Sequence, residues 1–242
     1  MKFNKFVLLF LGFSSLLISC KKEDGLFQKK LPGFTGVDFS NRITENEAYN
    51  ILSFEYVYNG GGTAIADFNN DGLQDLFFTG NMVNNGMYLN QGDFRFQKIS
   101  EAAGIEAADK WCSGSAVVDI NNDGRLDLYV CATTYQSPEL RKNMLFINRG
   151  LNSDRIPVFE DMAEAYGIAD TTHTTTAAFF DYDNDGDLDL FLAVNNFDPR
   201  LHPNAFRKDG DVRLSINADR LYENTFDPEK GHAVFTDVSK QA

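Results

Sequence analysis

The stretch Asp181-Tyr-Asp-Asn-Asp-Gly-Asp-Leu-Asp189 carries carboxylates at Asp181, Asp183, Asp185, Asp187 and Asp189, five in nine residues. Carboxylates so close repel one another by several kcal/mol unless a cation lies among them. Hard divalent cations with an all-oxygen shell meet that need, and calcium takes about six to eight oxygens at about 2.3–2.6 Å. The same nine-residue word recurs as Asp67-Phe-Asn-Asn-Asp-Gly-Leu-Gln-Asp75 and Asp119-Ile-Asn-Asn-Asp-Gly-Arg-Leu-Asp127. A loop of this spacing can turn the side chains at positions 1, 3, 5 and 9 inward, while position 7 offers its backbone carbonyl. The expected ligand sets are therefore Asp67, Asn69, Asp71, Leu73 and Asp75; Asp119, Asn121, Asp123, Arg125 and Asp127; and Asp181, Asp183, Asp185, Asp187 and Asp189. Three calcium ions are expected, one per loop. The third loop, with Asp183 in place of Asn at position 3, should bind most tightly, with the Asp187 side chain adding only to the field.

The glycine at position 6 permits the sharp turn that an EF-hand loop also needs. The loops are nonetheless not EF-hands. Position 12 would have to be a bidentate Glu, and here it is Phe78, Val130 or Leu192. A metal-free Asx turn with Asp-Gly hairpin chemistry is the plainer reading of any single copy. Three copies that all keep the ninth aspartate favour cation loops.

Each loop needs two strands to hold its ends together. Thr63–Ala66, Ser115–Val118 and Ala177–Phe180 run into the loops, and Leu76–Thr79, Leu128–Cys131 and Leu190–Ala193 leave them. These short apolar runs suit strands buried on both faces. A third element follows in each copy (Met87–Asn90, Leu145–Asn148, Leu221–Asn224) and then a fourth (Phe94–Ile99, Val158–Met162, Val234–Val238). Two copies close on Gly104-Ile105 and Gly167-Ile168. Four short strands in each repeat of roughly 50–60 residues mark a β-propeller blade. The fold expected is all-β, with about three blades of four antiparallel strands forming an open fragment of a seven-bladed propeller. The blades are expected at 63–113, 114–175 and 176–242, the last truncated. Upstream, 37–62 is expected as a lead-in with a strand at Phe54–Tyr58, and the Thr44/Glu47 capping-box spacing suggests a helical turn near 45–52.

The chain of 242 residues has 35 acids against 22 Lys and Arg, for a net charge of −13. Such acidity argues against nucleic acid, whose binding surfaces are basic. At the start, Lys2 and Lys5 precede an apolar run from Phe6 to Ile18, too short to span a bilayer and suited to an export signal. It ends at Leu17-Ile-Ser-Cys20, which resembles a bacterial lipobox; this implies a signal peptide at 1–19, lipid on Cys20 and a tether at 20–36. Hairpin geometry places Cys131 opposite about Ser115 and leaves Cys112 roughly 10 Å away at ~3.4 Å per residue. No disulfide between them is expected. His173, His202 and His232 lie in no ligand or nucleophile spacing and read as surface or turn residues. No catalytic residue is assigned, and the segment is not expected to be an enzyme.

The loops, the strand spacing and the Gly-Ile endings resemble the FG-GAP/VCBS repeat family of β-propellers, as in integrin α-subunit heads. Asn59-Gly-Gly-Gly62 and Phe78-Thr-Gly-Asn81 resemble bacterial surface lipoproteins with these repeats, which often also carry an ASPIC/UnbV domain. The resemblance implies calcium on one face of the propeller. It implies a protein or glycan partner on the other face, formed by Thr133–Lys142, Asn195–Ala218 and the inter-blade connectors, with Arg200, His202, Phe206, Arg207 and Lys208 there. The implied setting is the bacterial outer membrane or cell surface. The alternative is a non-catalytic accessory region of a secreted polysaccharide- or lipid-degrading enzyme, with its active site beyond residue 242.

Overall fold

The computed structural model describes residues 26–54, 56–195 and 218–241. Cys20 and the export signal lie outside the described residues, as do Arg200, His202, Phe206, Arg207 and Lys208. Among the described residues, twelve strands form three four-stranded antiparallel sheets, each in simple up-and-down order. The first holds β1 (Thr63–Ala66), β2 (Asp75–Phe78), β3 (Gly86–Asn90) and β4 (Phe96–Lys98). The second holds β5 (Cys112–Val118), β6 (Asp127–Ala132), β7 (Met144–Leu151) and β8 (Pro157–Asp161). The third holds β9 (Thr174–Phe180), β10 (Asp189–Val194), β11 (Arg220–Asp227) and β12 (His232–Asp237). These are three β-propeller-like blades.

The period of two along a strand sends alternate residues to opposite faces. In β6, Leu128 and Val130 join a core shared with the first blade, while Tyr129 and Cys131 join a core shared with the third. All six residues of β6 are buried. Burial on both faces also holds for β3 of the first blade, where Met87 and Tyr88 are both buried. In β9 the sides alternate, and Thr176, Ala178 and Phe180 are exposed because no sheet lies beyond them among the described residues. Each large apolar side chain buried between blades contributes about 1.5–3 kcal/mol.

The innermost strands meet closely. The N–H of Gly62 donates to Ser113 O at 2.7 Å, and Ser113 Oγ donates to Thr174 O at 2.8 Å, linking the three blades in series. A Cβ on Gly114 would stand 2.5 Å from Thr175 O, so only glycine allows this approach. At the rim, single helical turns α2 (Ser100–Ala103) and α3 (Ala163–Tyr166) end in left-handed Gly104 and Gly167. Each glycine faces the outer strand of the next blade, at Phe159 O and Phe235 O. The turn α1 (Pro32–Thr35) ends in Gly36, which faces Phe96 O in the same way. The lead-in thus repeats at the first blade the contact that each blade makes with the next.

The lead-in departs from expectation in two places. Phe54–Tyr58 is not a strand: Val57 N–H donates to Phe54 O and Asn59 N–H to Tyr56 O, closing turns. Its aromatic rings pack on Trp111 instead of pairing along a sheet edge; Phe54 meets Trp111 edge-on at 5.8 Å. Residues 45–52 form no helix. Asn46 Oδ1 accepts from Ala48 and Tyr49 N–H, and Asn50 Oδ1 from Leu52 and Ser53 N–H, so local Asx turns replace helical bonds.

The cysteine register also shifts. A bulge in β5 sets Ser115 opposite Val130 and Cys112 opposite Ala132. Cys112 and Cys131 are both free and buried. Burial pushes the Cys112 thiol up to about 12 and raises that of Cys131 as well, so neither is a reactive thiolate at neutral pH.

Candidate metal centre

The three acidic loops connect β1 to β2, β5 to β6 and β9 to β10, at one end of the blades. Their backbones share one design. Positions 4 and 6 are left-handed in every copy: Asn70, Asn122 and Asn184 at φ 55, 55 and 64°, and Gly72, Gly124 and Gly186 at 88, 78 and 99°. Asn tolerates that region and Gly prefers it, which is why these residue types stand there.

The first aspartate folds each loop over itself. Asp67 accepts from Asp71 N–H at 3.0 Å and Gly72 N–H at 2.7 Å, Asp119 from Asp123 and Gly124, and Asp181 from Asp185 and Gly186. Position 3 also accepts from the position 5 amide, at 3.2 Å for Asn69, 3.1 Å for Asn121 and 3.2 Å for Asp183. The side chains at positions 1 and 3 thus meet on the backbone amide of position 5 in each copy.

The ninth aspartate is buried in every copy. Asp75 accepts from Phe68 N–H at 3.0 Å and Asn90 N–H at 2.8 Å. Asp127 does the same with Ile120 and Asn148, and Asp189 with Tyr182 and Asn224. One carboxylate thereby ties its loop to the third strand of its blade. Burial pushes Asp75 and Asp127 up to about 6, against the pull of those amides.

Asn90, Asn148 and Asn224 were given no role from the sequence, although the asparagine recurs at the end of each third element. Their amides donate to the position 8 carbonyls: Gln74 O at 2.8 Å, Leu126 O at 3.3 Å and Leu188 O at 3.0 Å. Asn148 also reaches Phe68 O at 2.9 Å, bonding the second blade to the loop of the first. Asn70 Nδ2 donates to Gly124 O at 3.0 Å, a direct bond between neighbouring loops.

The donor sets differ among the loops. In the third, Asp181, Asp183 and Asp189 bring carboxylate oxygens within 4.8 Å of one another. Asp187 Oδ1 is buried with no hydrogen-bond partner, and burial with Asp185 and Asp189 nearby pushes its carboxyl up to about 6. Three convergent carboxylates and an orphaned carboxylate oxygen are the chemistry that a hard cation satisfies. In the second loop the Arg125 guanidinium pairs with Asp123 Oδ2, and its Nε donates to Asn148 O at 3.0 Å. There a protein cation already covers one expected ligand. In the first, Leu73 has no such charge.

A family model described as an FG-GAP-like repeat matches residues 67–130, from the first aspartate of the first loop into β6. Over these residues the chain is similar to an FG-GAP-like repeat. The match takes in the first two acidic loops whole, with the sheet between them. FG-GAP-like repeats generally serve as interaction modules. The chain is also similar to "Cartilage acidic protein 1" of Xenopus tropicalis, at 28% identity over 137 residues, 56% of this chain and 20% of that protein. The match therefore spans about a fifth of the relative's length.

Away from the loops, His173 is buried rather than at the surface, and His232 stacks on Tyr166 at 4.5 Å. Arg141, also buried, donates to Tyr135 O, Gln136 O and Thr171 O and so shapes the β6–β7 connection.

Proposed function

We propose that the chain is a calcium-stabilised β-propeller interaction module, carried on a bacterial surface by a lipid on Cys20 and binding a protein or glycan partner. The observation that carries the calcium reading is the third loop, where three carboxylates converge beside the orphaned Asp187 oxygen. Asp181, Asp183, Asp185 and Asp189 would hold the ion by side chains and Asp187 by its backbone carbonyl. Asp67, Asn69, Asp71 and Asp75, with the Leu73 carbonyl, would do so in the first loop. In the second, Asp119, Asn121, Asp123 and Asp127 would act with the Arg125 carbonyl. The ion neutralises the crowded charges and fixes each hairpin; it supplies no chemistry to a substrate.

Extracellular calcium modules bind at about 10⁻⁴–10⁻³ M, which suits structural rather than signalling ions. The test is thermal melting of the full chain in millimolar calcium and in EDTA. Millimolar calcium is about one to ten times that Kd, so each site adds about 0.4–1.4 kcal/mol and three sites should raise the Tm by several degrees. Equal melting in both conditions would refute the ion sites. The anchor rests on the sequence of the leader and Cys20. Cys20→Ser should move the protein out of the membrane fraction, and retention there would refute lipid attachment.

A further inference from the structure

At the end of the inner strands away from the acidic loops lies a cavity of about 400 Å³. It falls within the usual range for small-molecule sites, about 300–1,000 Å³. The lead-in, the starts of β5 and β9 and the β6–β7 connection all contribute to its wall.

Two kinds of side chain line it. One wall is aromatic: Tyr49, Phe54, Tyr56 and Trp111. Phe54 meets Tyr56 at 6.0 Å and Trp111 at 5.8 Å edge to face, and Tyr49 is tilted against Trp111 at 6.1 Å. Tyr56 is the exposed member at 39%. The remainder offers hydroxyls and amides, among them Ser53, Asn59, Thr133, Thr134, Gln136 and Thr175. In an acidic chain, no Asp, Glu, Lys or Arg lines the cavity among the described residues. Its one titratable ring nitrogen pair, on His173, is held neutral by burial and by Arg141 nearby, which lower it to about 4.

Thr134 is the anomaly in this wall. It is a β-branched residue at φ 68°, where such residues are rare, and it is 8% exposed. Its Oγ1 is buried and has no hydrogen-bond partner. That oxygen is sealed from the cavity, so Thr134 shapes the wall through its left-handed backbone turn and not through its hydroxyl.

We propose that this cavity binds a neutral sugar ring, whose hydroxyls pair with the side chains of Ser53, Asn59, Gln136 and Thr175 while its C–H face lies on the aromatic wall. A sugar is the ligand class that is uncharged, apolar on its faces and rich in hydroxyls at its edges. This deepens the interaction-module reading and rests on it.

Trp111 is the sole tryptophan, so its emission follows occupancy of the cavity directly. The full chain is titrated with the methyl glycosides of glucose, galactose, mannose and N-acetylglucosamine, and with glucuronic acid as the charged control. A saturable emission change with at least one neutral glycoside, and none with glucuronic acid, is expected. Gln136→Ala removes an exposed amide from the cavity wall, so it should melt as the parent does and bind about tenfold more weakly. Oligomers of the responding sugar separate two sources: affinity rising with length indicates a polysaccharide, and constant affinity a terminal sugar. Protein that melts higher in calcium yet shows no emission change with any neutral glycoside up to about 100 mM overturns the sugar site and leaves the calcium module standing. Sugar binding without any effect of calcium on melting would do the reverse. Gln136→Ala binding as tightly as the parent would also overturn the proposal.

Discussion

The backbone N–H of Asn224 donates to Asp189 Oδ1 at 2.8 Å, while Tyr182 N–H donates to Asp189 Oδ2 at 2.9 Å. The last residue of the acidic loop therefore holds the loop and the third strand together even before a cation is considered. The same relationship joins Asp75 to Asn90 and Asp127 to Asn148. Position 9 has a structural task that positions 1, 3 and 5 do not share.

That difference separates two variants. Asp189→Ala leaves two buried amides without partners, at about 1–3 kcal/mol each, and should lower stability by about 2 kcal/mol or more in EDTA. Asp183→Ala, at an exposed position, should change stability in EDTA by less than about 0.5 kcal/mol and act only by abolishing the calcium effect. Urea unfolding in EDTA and in calcium measures both; equal losses in EDTA would contradict the division of labour.

Asn148→Ala removes bonds to Phe68 O and Leu126 O from a fully buried side chain. It should cost about 1–3 kcal/mol in urea unfolding. Asn90→Ala, whose one loop bond is to Gln74 O at an exposed position, should cost less.

Arg125 competes with any cation for Asp123. An exposed ion pair is worth about 0.2–1 kcal/mol. Arg125→Leu, which copies Leu73 of the first loop, should tighten calcium at the second loop by up to about fivefold in a calorimetric titration. Unchanged or weaker affinity would place the guanidinium outside the competition.

The strands were legible because alternation and the loop word punctuate them. All twelve of the described strands fall where the apolar runs predicted, with ends moved by at most three residues. The loops were legible as acidic words, and in the third the structure brings the first, third and ninth carboxylates together. The anchoring role of the ninth aspartate was not legible, because its partners are backbone amides, which every residue carries. Asn148 was visible only as a recurring letter; its bond to Phe68 joins residues far apart in the chain. The turns α1, α2 and α3 are too short to leave a helical period. Phe54–Tyr58 misled because aromatic content favours strands, whereas here Trp111 supplies a packing surface and no sheet edge does. The buried position of His173 depends on three segments meeting at one cavity, which no local pattern encodes.

His173 gives a pH dependence with a definite sign. Its folded value, about 4, lies below the ordinary 6.5 because burial and Arg141 oppose the charge. The unfolded chain therefore takes up the proton first. The stability tied to a neutral His173 is fully present above about pH 6.5 and is lost as pH falls from there towards 4. His173→Asn should lose less stability than the parent between pH 7 and pH 5, measured by urea unfolding in EDTA. Identical slopes would mean that the ring charges freely in the folded state.

The most direct measurement is calorimetric titration of calcium into the full, folded chain after EDTA treatment and buffer exchange. The expected result is binding at submillimolar to millimolar Kd, with stoichiometry approaching one ion per acidic loop and the tightest component removed by Asp183→Ala. The account is contradicted if the folded protein takes up no calcium at millimolar concentration, or if Asp183→Ala leaves the tightest component intact.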